Sequence, residues 1–215
     1  MQNKIILSLK ELQINTKTQK LFGPVNLDLF LGECRGICAP TGSGKTTLFN
    51  TIAGIINQSE FIVNGTLKKA PDLKICYAFQ EPRLISSVKI LKNVMLPLEN
   101  LMPQEQAQTL AACWLDKLKL EQKSQSFPAV LSGGEQQRAG LARAFAWNEA
   151  CAQKGEPCLL LLDEPFASQD EKNAFIIENL IKSQVNTAEL NTSALVISHD
   201  RQILEKICTN FIQII

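Results

Sequence analysis

Apolar and polar residues alternate along Ile5–Leu12 and again along Val25–Phe30, the period of half-buried strands. Cys34–Ala39 is a short apolar run that enters a glycine-rich turn, and Lys45–Ala53 behind it carries a helical period. Ile75–Phe79 reads as a further strand. Between about Val88 and Ala146 the pattern turns helical, over Val88–Leu96, Glu105–Leu118 and Gln136–Ala146, with Pro97, Pro103 and Pro128 as punctuation. From Cys158 strand and helix alternate again, with apolar strands at Leu159–Asp163 and Ala194–Ser198. The pattern predicts an α/β core with a helical insertion over roughly 88–146, not two independent domains. Neither an internal repeat nor a low-complexity linker interrupts it.

Composition changes this picture little. At 215 residues the chain is long enough for one domain with a proper core. Its formal net charge of +1 gives no global field to attract nucleic acid or an anionic membrane, so no nucleic-acid partner is expected. The cysteines at 34, 38, 76, 113, 151, 158 and 208 form no C-x-x-C pair, and with a single histidine they offer no zinc pattern. Cys34 and Cys38 share one face of a strand, where packing explains them. The start of the chain lacks the apolar stretch of a signal peptide, and no segment approaches the ~20 apolar residues of a membrane span. These features predict a reduced, cytoplasmic chain whose membrane role, if it has one, comes through a partner.

The chemistry lies in separated segments. Ala39-Pro-Thr-Gly-Ser-Gly-Lys-Thr46 follows a strand and opens a helix, the setting a phosphate-binding loop requires. Glycines at 42 and 44 let backbone N–H groups face phosphate oxygens, and the helix N-terminus adds positive potential. Lys45 is placed to neutralise the β- and γ-phosphates and the Thr46 hydroxyl to ligate Mg²⁺. A ligand-free glycine turn is the competing reading, and an intact Gly-Lys-Thr-Thr argues against it. Leu159–Leu162 ends in Asp163 and Glu164, two carboxylates at the carboxyl end of a buried strand. Asp163 is expected to hold Mg²⁺ through water and Glu164 to polarise an attacking water. In Leu131-Ser-Gly-Gly-Glu135, Ser132 and Glu135 form a capping box that also leaves a glycine-rich helix N-terminus suited to phosphate.

With Gln80 and His199 in their places between and after these segments, the chain resembles the nucleotide-binding subunits of ABC transporters, from about Glu11 to Ile215. The resemblance implies an α/β P-loop NTPase core with an N-terminal antiparallel β subdomain and an inserted helical, signature-bearing subdomain. It implies one ATPase domain over 1–215 and no C-terminal regulatory domain. It further implies a head-to-tail dimer that sandwiches ATP. Ala39, Pro40, Thr41, Gly42, Ser43, Gly44, Lys45, Thr46 and Thr47 of one chain would face Ser132, Gly133, Gly134 and Glu135 of the other. Asp170 matches the loop that crosses the dimer interface. Gln80 would touch Mg²⁺ and the water alongside Thr46 and Asp163, and His199 in Ile-Ser-His-Asp would bond the γ-phosphate. The implied partners are an integral-membrane permease, a second ATP-binding subunit as a homodimer and a solute-binding protein of the same system. The implied location is the cytoplasmic face of the membrane.

Some positions depart from the family. No aromatic residue lies in Leu12–Thr16, where adenine is usually stacked, and Phe22 is the nearest substitute. Gln169 replaces the usual apolar residue of the loop before Asp170, and Trp147–Pro157 reads as a longer surface elaboration. Gln80-Glu-Pro-Arg-Leu84 with Asn93–Leu98 resembles importers of nitrate, sulfonates and taurine, and partly resembles exporter-type and lipoprotein-releasing ATPases. A soluble ATPase of a cytosolic assembly system, of the iron–sulfur type, is the alternative from another class. Retention of Lys45, Asp163, Glu164 and His199 argues against a non-catalytic module.

Overall fold

The structure, a computed structural model, describes residues 4–40, 42–57, 59–186 and 191–213. Its described residues build two sheets. The first is antiparallel with order β2-β1-β4, from β1 (Ile5–Thr16), β2 (Lys20–Phe30) and β4 (Phe61–Lys69). The second is parallel with order β5-β6-β7-β3-β8, from β3 (Cys34–Cys38), β5 (Lys74–Ala78), β6 (Cys158–Asp163), β7 (Thr192–Ser198) and β8 (Asn210–Gln213).

The antiparallel strands run further than simple alternation predicts. Register shifts fall between Leu9 and Leu12, where Glu11 takes a φ of 47°, so the inward-facing set changes phase in mid-strand. Strand β4 escapes the sequence pattern because its side chains, almost all exposed, show no inward–outward alternation. Gly65 sits in the bulge opposite Glu11, with a φ of 88°, where a Cβ would lie 2.3 Å from the Glu11 carbonyl oxygen.

The helices are α1 (Lys45–Ala53), α2 (Ile90–Met95), α3 (Gln104–Lys117), α4 (Gly133–Ala152), α5 (Glu171–Asn186) and α6 (Arg201–Ile207). One core lies between the two sheets and takes in Leu48, Phe49 and Ile52 of α1. The other lies on the opposite face of the parallel sheet, under α2 to α6, with Trp114 and Phe145 at its centre. No described helix is long and apolar enough to cross a membrane.

Trp147–Pro157 is largely no surface elaboration. Its first six residues complete α4 and bury Asn148, Ala150, Cys151 and Ala152. Asn148 is fully buried: its amide donates to Gln184 Oε1 at 2.7 Å, and its carbonyl accepts from the Thr192 hydroxyl at 3.2 Å. This polar knot pins the end of α4 to α5 and to the start of β7. Asn148→Ala should cost about 1–3 kcal/mol by leaving the Gln184 carbonyl without its donor. Thermal unfolding checks this as a drop of several degrees.

Candidate active site

All strands of the second sheet run the same way, so their carboxyl ends open on one crevice, where open α/β sheets take ligands. The loop after β3 supplies the glycine-rich segment that ends at Thr46. Gln80 follows β5, Asp163 and Glu164 end and follow β6, and His199 follows β7. The sheet alone brings these groups together.

Gly44 caps α1 with a φ of 80°, and a Cβ there would lie 3.0 Å from the Leu21 carbonyl oxygen, so only glycine fits. No side chain caps α1 and no acid lies in its first turn, which leaves its N–H groups free for an anion. Lys45 is 8% exposed, and its ammonium donates to the carbonyls of Ala39 at 2.7 Å and Pro40 at 2.5 Å.

The Thr46 hydroxyl donates to Asp163 Oδ2 at 2.7 Å, while among the described residues neither Asp163 Oδ1 nor the Ser43 hydroxyl, both buried, has a hydrogen-bond partner. Burial raises the Asp163 carboxyl above its ordinary value and Glu164 adds to the rise, against the Thr46 hydrogen bond and Lys45. A hydroxyl and a half-satisfied buried carboxylate fit a hard divalent cation that keeps its remaining positions for water and phosphate.

Glu164 sits at a φ of 49°, a strained conformation for a residue with a side chain. Its N–H donates to the Ile197 carbonyl at 3.0 Å, and its own carbonyl accepts from Gln137 Nε2 at 2.6 Å. These bonds aim the carboxylate at His199, whose Nδ1 lies 2.9 Å from Glu164 Oε2. The Glu164 side chain is almost covered, whereas that of His199 is two-thirds exposed.

At the far side of the crevice the capping box is complete. The Ser132 hydroxyl accepts from the Glu135 N–H at 3.3 Å, and the Ser132 N–H donates to Glu135 Oε2 at 2.8 Å. That backbone hydrogen bond holds the Glu135 carboxyl below its usual range. Gly133 faces open space, while a Cβ on Gly134 would lie 2.6 Å from the Ser168 carbonyl oxygen.

Two cavities meet here. One of about 250 Å³ is lined by Leu21, Gly42, Gly44, Lys45, Thr46, Thr47, Gln80 and Glu164. The other, of about 600 Å³, runs from Thr46 and Gln80 to Gly133, Gln136, Gln137 and Ser168. Ala39 is buried behind the loop. Asp170 lines neither cavity and instead caps α5, accepting from the Asn173 N–H at 2.7 Å. Thr41 lies outside the described residues. Phe22 is buried between the sheets and unavailable to a base; its neighbour Leu21, on the other face of β2, borders the phosphate loop. Gln137, Arg143 and Gln169 carry contacts that sequence reasoning did not assign. Arg143 donates to the carbonyls of Pro82 at 2.6 Å and Arg83 at 3.1 Å and ties the segment after Gln80 to α4.

Residues 22–167 match the family model described as ABC transporter. The chain belongs to the ABC transporter family. It is 32% identical to the lipoprotein-releasing system ATP-binding protein LolD of Buchnera aphidicola over 88% of this chain and 84% of that protein. It is 34% identical to the aliphatic sulfonates import ATP-binding protein SsuB 1 of Nocardia farcinica, over 91% and 72%. Its fold superposes on the dimeric post-hydrolysis structure of the ATP-binding cassette MJ0796, bound to ADP and phosphate, with a TM-score of 0.78, 29% identity and 97% and 94% coverage. An ABC chain of this kind binds ATP and is an ATPase, the nucleotide-binding subunit of a transporter that works with membrane permease subunits and pairs with a second ATP-binding subunit.

The burial of the Asp163 carboxyl, only partly offset by Thr46 and Lys45, makes a stability prediction. A carboxyl raised in the folded state destabilises the fold wherever it is ionised, so the cost is fully present above its folded value and fades as pH falls through it. Asp163→Asn should therefore raise the melting temperature of the nucleotide-free protein at neutral pH by about 2–4 °C for each kcal/mol recovered. The gain should shrink in acid, as melting curves across pH will report, and ATP turnover should be lost.

Proposed function

We propose that this ABC ATPase subunit powers import of a small solute by hydrolysing ATP sandwiched between two copies arranged head to tail. The observation that carries the reading is the convergence on one crevice of Lys45, Thr46, Asp163, Glu164, Gln80 and His199, with Gly133 on its opposite rim. The chain is read as a single ATPase unit with the helical segment of roughly 88–146 inserted in it.

Lys45 and the free N–H groups of α1 bind the β- and γ-phosphates of ATP. Ser132, Gly133, Gly134 and Glu135 of the partner copy close over the same nucleotide, and Asp170 orders the loop at the interface by capping α5. Thr46, Asp163 and Gln80 would hold Mg²⁺, which would supply charge neutralisation for the transferred phosphoryl group. Glu164 orients a water and takes its proton, and His199, hydrogen-bonded to that carboxylate, turns its exposed ring to the γ-phosphate. Catalysis is then positioning and charge stabilisation, as phosphoryl transfer requires.

The direction of transport is read from the segment after Gln80. The stack of Tyr77 on Phe79, 3.8 Å between ring centroids, and the Arg83 guanidinium 4.1 Å from the Phe79 ring stiffen one wall of a groove of about 520 Å³. The opposite walls are Leu96, Pro97 and Trp147. A cytoplasmic helix of the permease docks there, which places the subunit on the cytoplasmic face of the membrane, with a solute-binding protein in the same system. Likeness to the Buchnera releasing-system protein favours a second reading, extraction of a lipid-linked substrate through a similar permease.

Purification of tagged Glu164→Gln with ATP in mild detergent tests the transporter reading. A multi-span membrane protein in stoichiometric amount supports it; recovery of soluble partners alone across several detergents overturns it. In equilibrium titration and steady-state assays, Glu164→Gln should bind ATP within about twofold of the native chain and lose on the order of 10²–10⁴ in kcat. Lys45→Ala should weaken ATP binding by about 10–100-fold through loss of a charge-assisted contact. Because Leu21 offers no ring to stack on, the usual ~1–3 kcal/mol of base stacking is missing. GTP should then compete with ATP within about tenfold in kcat/KM, as competition assays with the two nucleotides will show.

A further inference from the structure

Gln169 stands where an apolar residue is expected, and the structure gives its carboxamide a use. Its Oε1 accepts from Arg138 Nη1 at 2.9 Å. Its Nε2 lies 3.2 Å from the Gly134 carbonyl oxygen, 3.1 Å from Gln137 Oε1 and 3.3 Å from the Ala167 carbonyl oxygen. Gln137 is 6% exposed, and its own amide donates at 2.6 Å to the carbonyl of Glu164. Arg138 in turn is braced by the carbonyl of Leu118, at 3.1 Å from its Nε. A continuous chain of side-chain hydrogen bonds thus runs from the first turn of α4, through Gln169 and Gln137, to the backbone of Glu164.

That backbone needs holding. With a φ of 49°, Glu164 is in a region that persists only where surroundings impose it, and a small rotation there swings the carboxylate through the site. The Ile197 carbonyl fixes the Glu164 N–H, and Gln137 fixes its carbonyl. Gln137 has two acceptor lone pairs on Oε1, and Gln169 is the donor that orients this buried amide so that its own N–H points at Glu164. The contact of Ser168 with Gly134 leaves no room for the loop to settle closer if the bonds are lost.

We propose that Gln169 is a positioning residue for hydrolysis: by orienting Gln137 it sets the Glu164 backbone, and with it the general base. An apolar residue in its place would fill the space and leave Gln137 free to turn. The proposal rests on the reading of Glu164 as the base, and it places the dependence in the turnover step rather than in ATP binding, since Gln169 lines neither cavity.

The test uses Gln169→Met, which keeps length and volume without the amide, and Gln169→Glu, which retains an acceptor for Arg138 but presents a lone pair where Gly134 and Gln137 need an N–H. Both should bind ATP within about twofold of the native chain and lose about tenfold in kcat with KM held within about twofold. Single-turnover rates complete a double-mutant cycle with Glu164→Gln, in which Gln169→Met should bring no further loss. Unchanged kcat in both variants, a loss carried by KM, or losses that multiply in the double variant would each overturn the proposal. Full-speed hydrolysis by Glu164→Gln alone would instead remove the reading of Glu164 on which it rests.

Discussion

Parallel pairing of β6 with β5 on one side and β7 on the other is the constraint on which everything else rests. Leu159, Leu160, Leu161 and Leu162 are wholly buried, and each contributes roughly 1.5–3 kcal/mol of burial to a strand that no polar side chain interrupts. The register sets Leu162 beside Ala78 and Asp163 beside Ile197. Gln80, Asp163, Glu164 and His199 therefore leave the sheet at one edge, next to the loop that β3 delivers. The apolar run does more than stabilise: it carries a carboxylate 1% exposed to the carboxyl end of the sheet, beside the Thr46 hydroxyl.

Helix α4 is the second fixed part. Its first turn presents Gly133 to solvent, Gln137 holds Glu164, Arg143 holds the segment after Gln80, and Asn148 anchors the far end to α5 and β7. Gly140 lets that segment lie close, since a Cβ there would sit 3.1 Å from Pro82. One helix thus touches the glycine rim at Gly133, the backbone of Glu164 and the groove beside Phe79 and Arg83, the places where the proposed function puts the partner copy, the general base and the permease.

Legibility in the sequence followed locality. The phosphate loop, the capping box and the paired acids are runs of neighbouring residues whose chemistry needs only their order, and the leucine run of β6 needs only its composition. The outer sheet was read less well because its bulges at Glu11 and Gly65 break the alternation on which strand reading depends. The extra turns of α4 were misread because Asn148 looks like a surface residue until Gln184 and Thr192 close around it. Gln137 and the contacts of Gln169 were missed for a similar reason: Gln137 reaches Glu164, 27 positions away, and Gln169 reaches back 31 to 35 positions to α4, distances no periodicity reports. Phe22 shows the opposite error, an aromatic residue with suitable chemistry turned into the core by the phase of its strand.

The central claim is that the rim at Ser132–Glu135 of one copy completes the nucleotide site of another. The measurement that reaches it most directly mixes an isotope-labelled native chain with Lys45→Ala chains, in the presence of an ATP analogue bearing a photoreactive group on the γ-phosphate. Peptide mass spectrometry then reports which copy is tagged. The account predicts label on the 132–135 peptide of the Lys45→Ala copy, which binds little nucleotide of its own. Label confined to the 132–135 peptide of the copy that holds the nucleotide, or absent from that peptide in both, would contradict it.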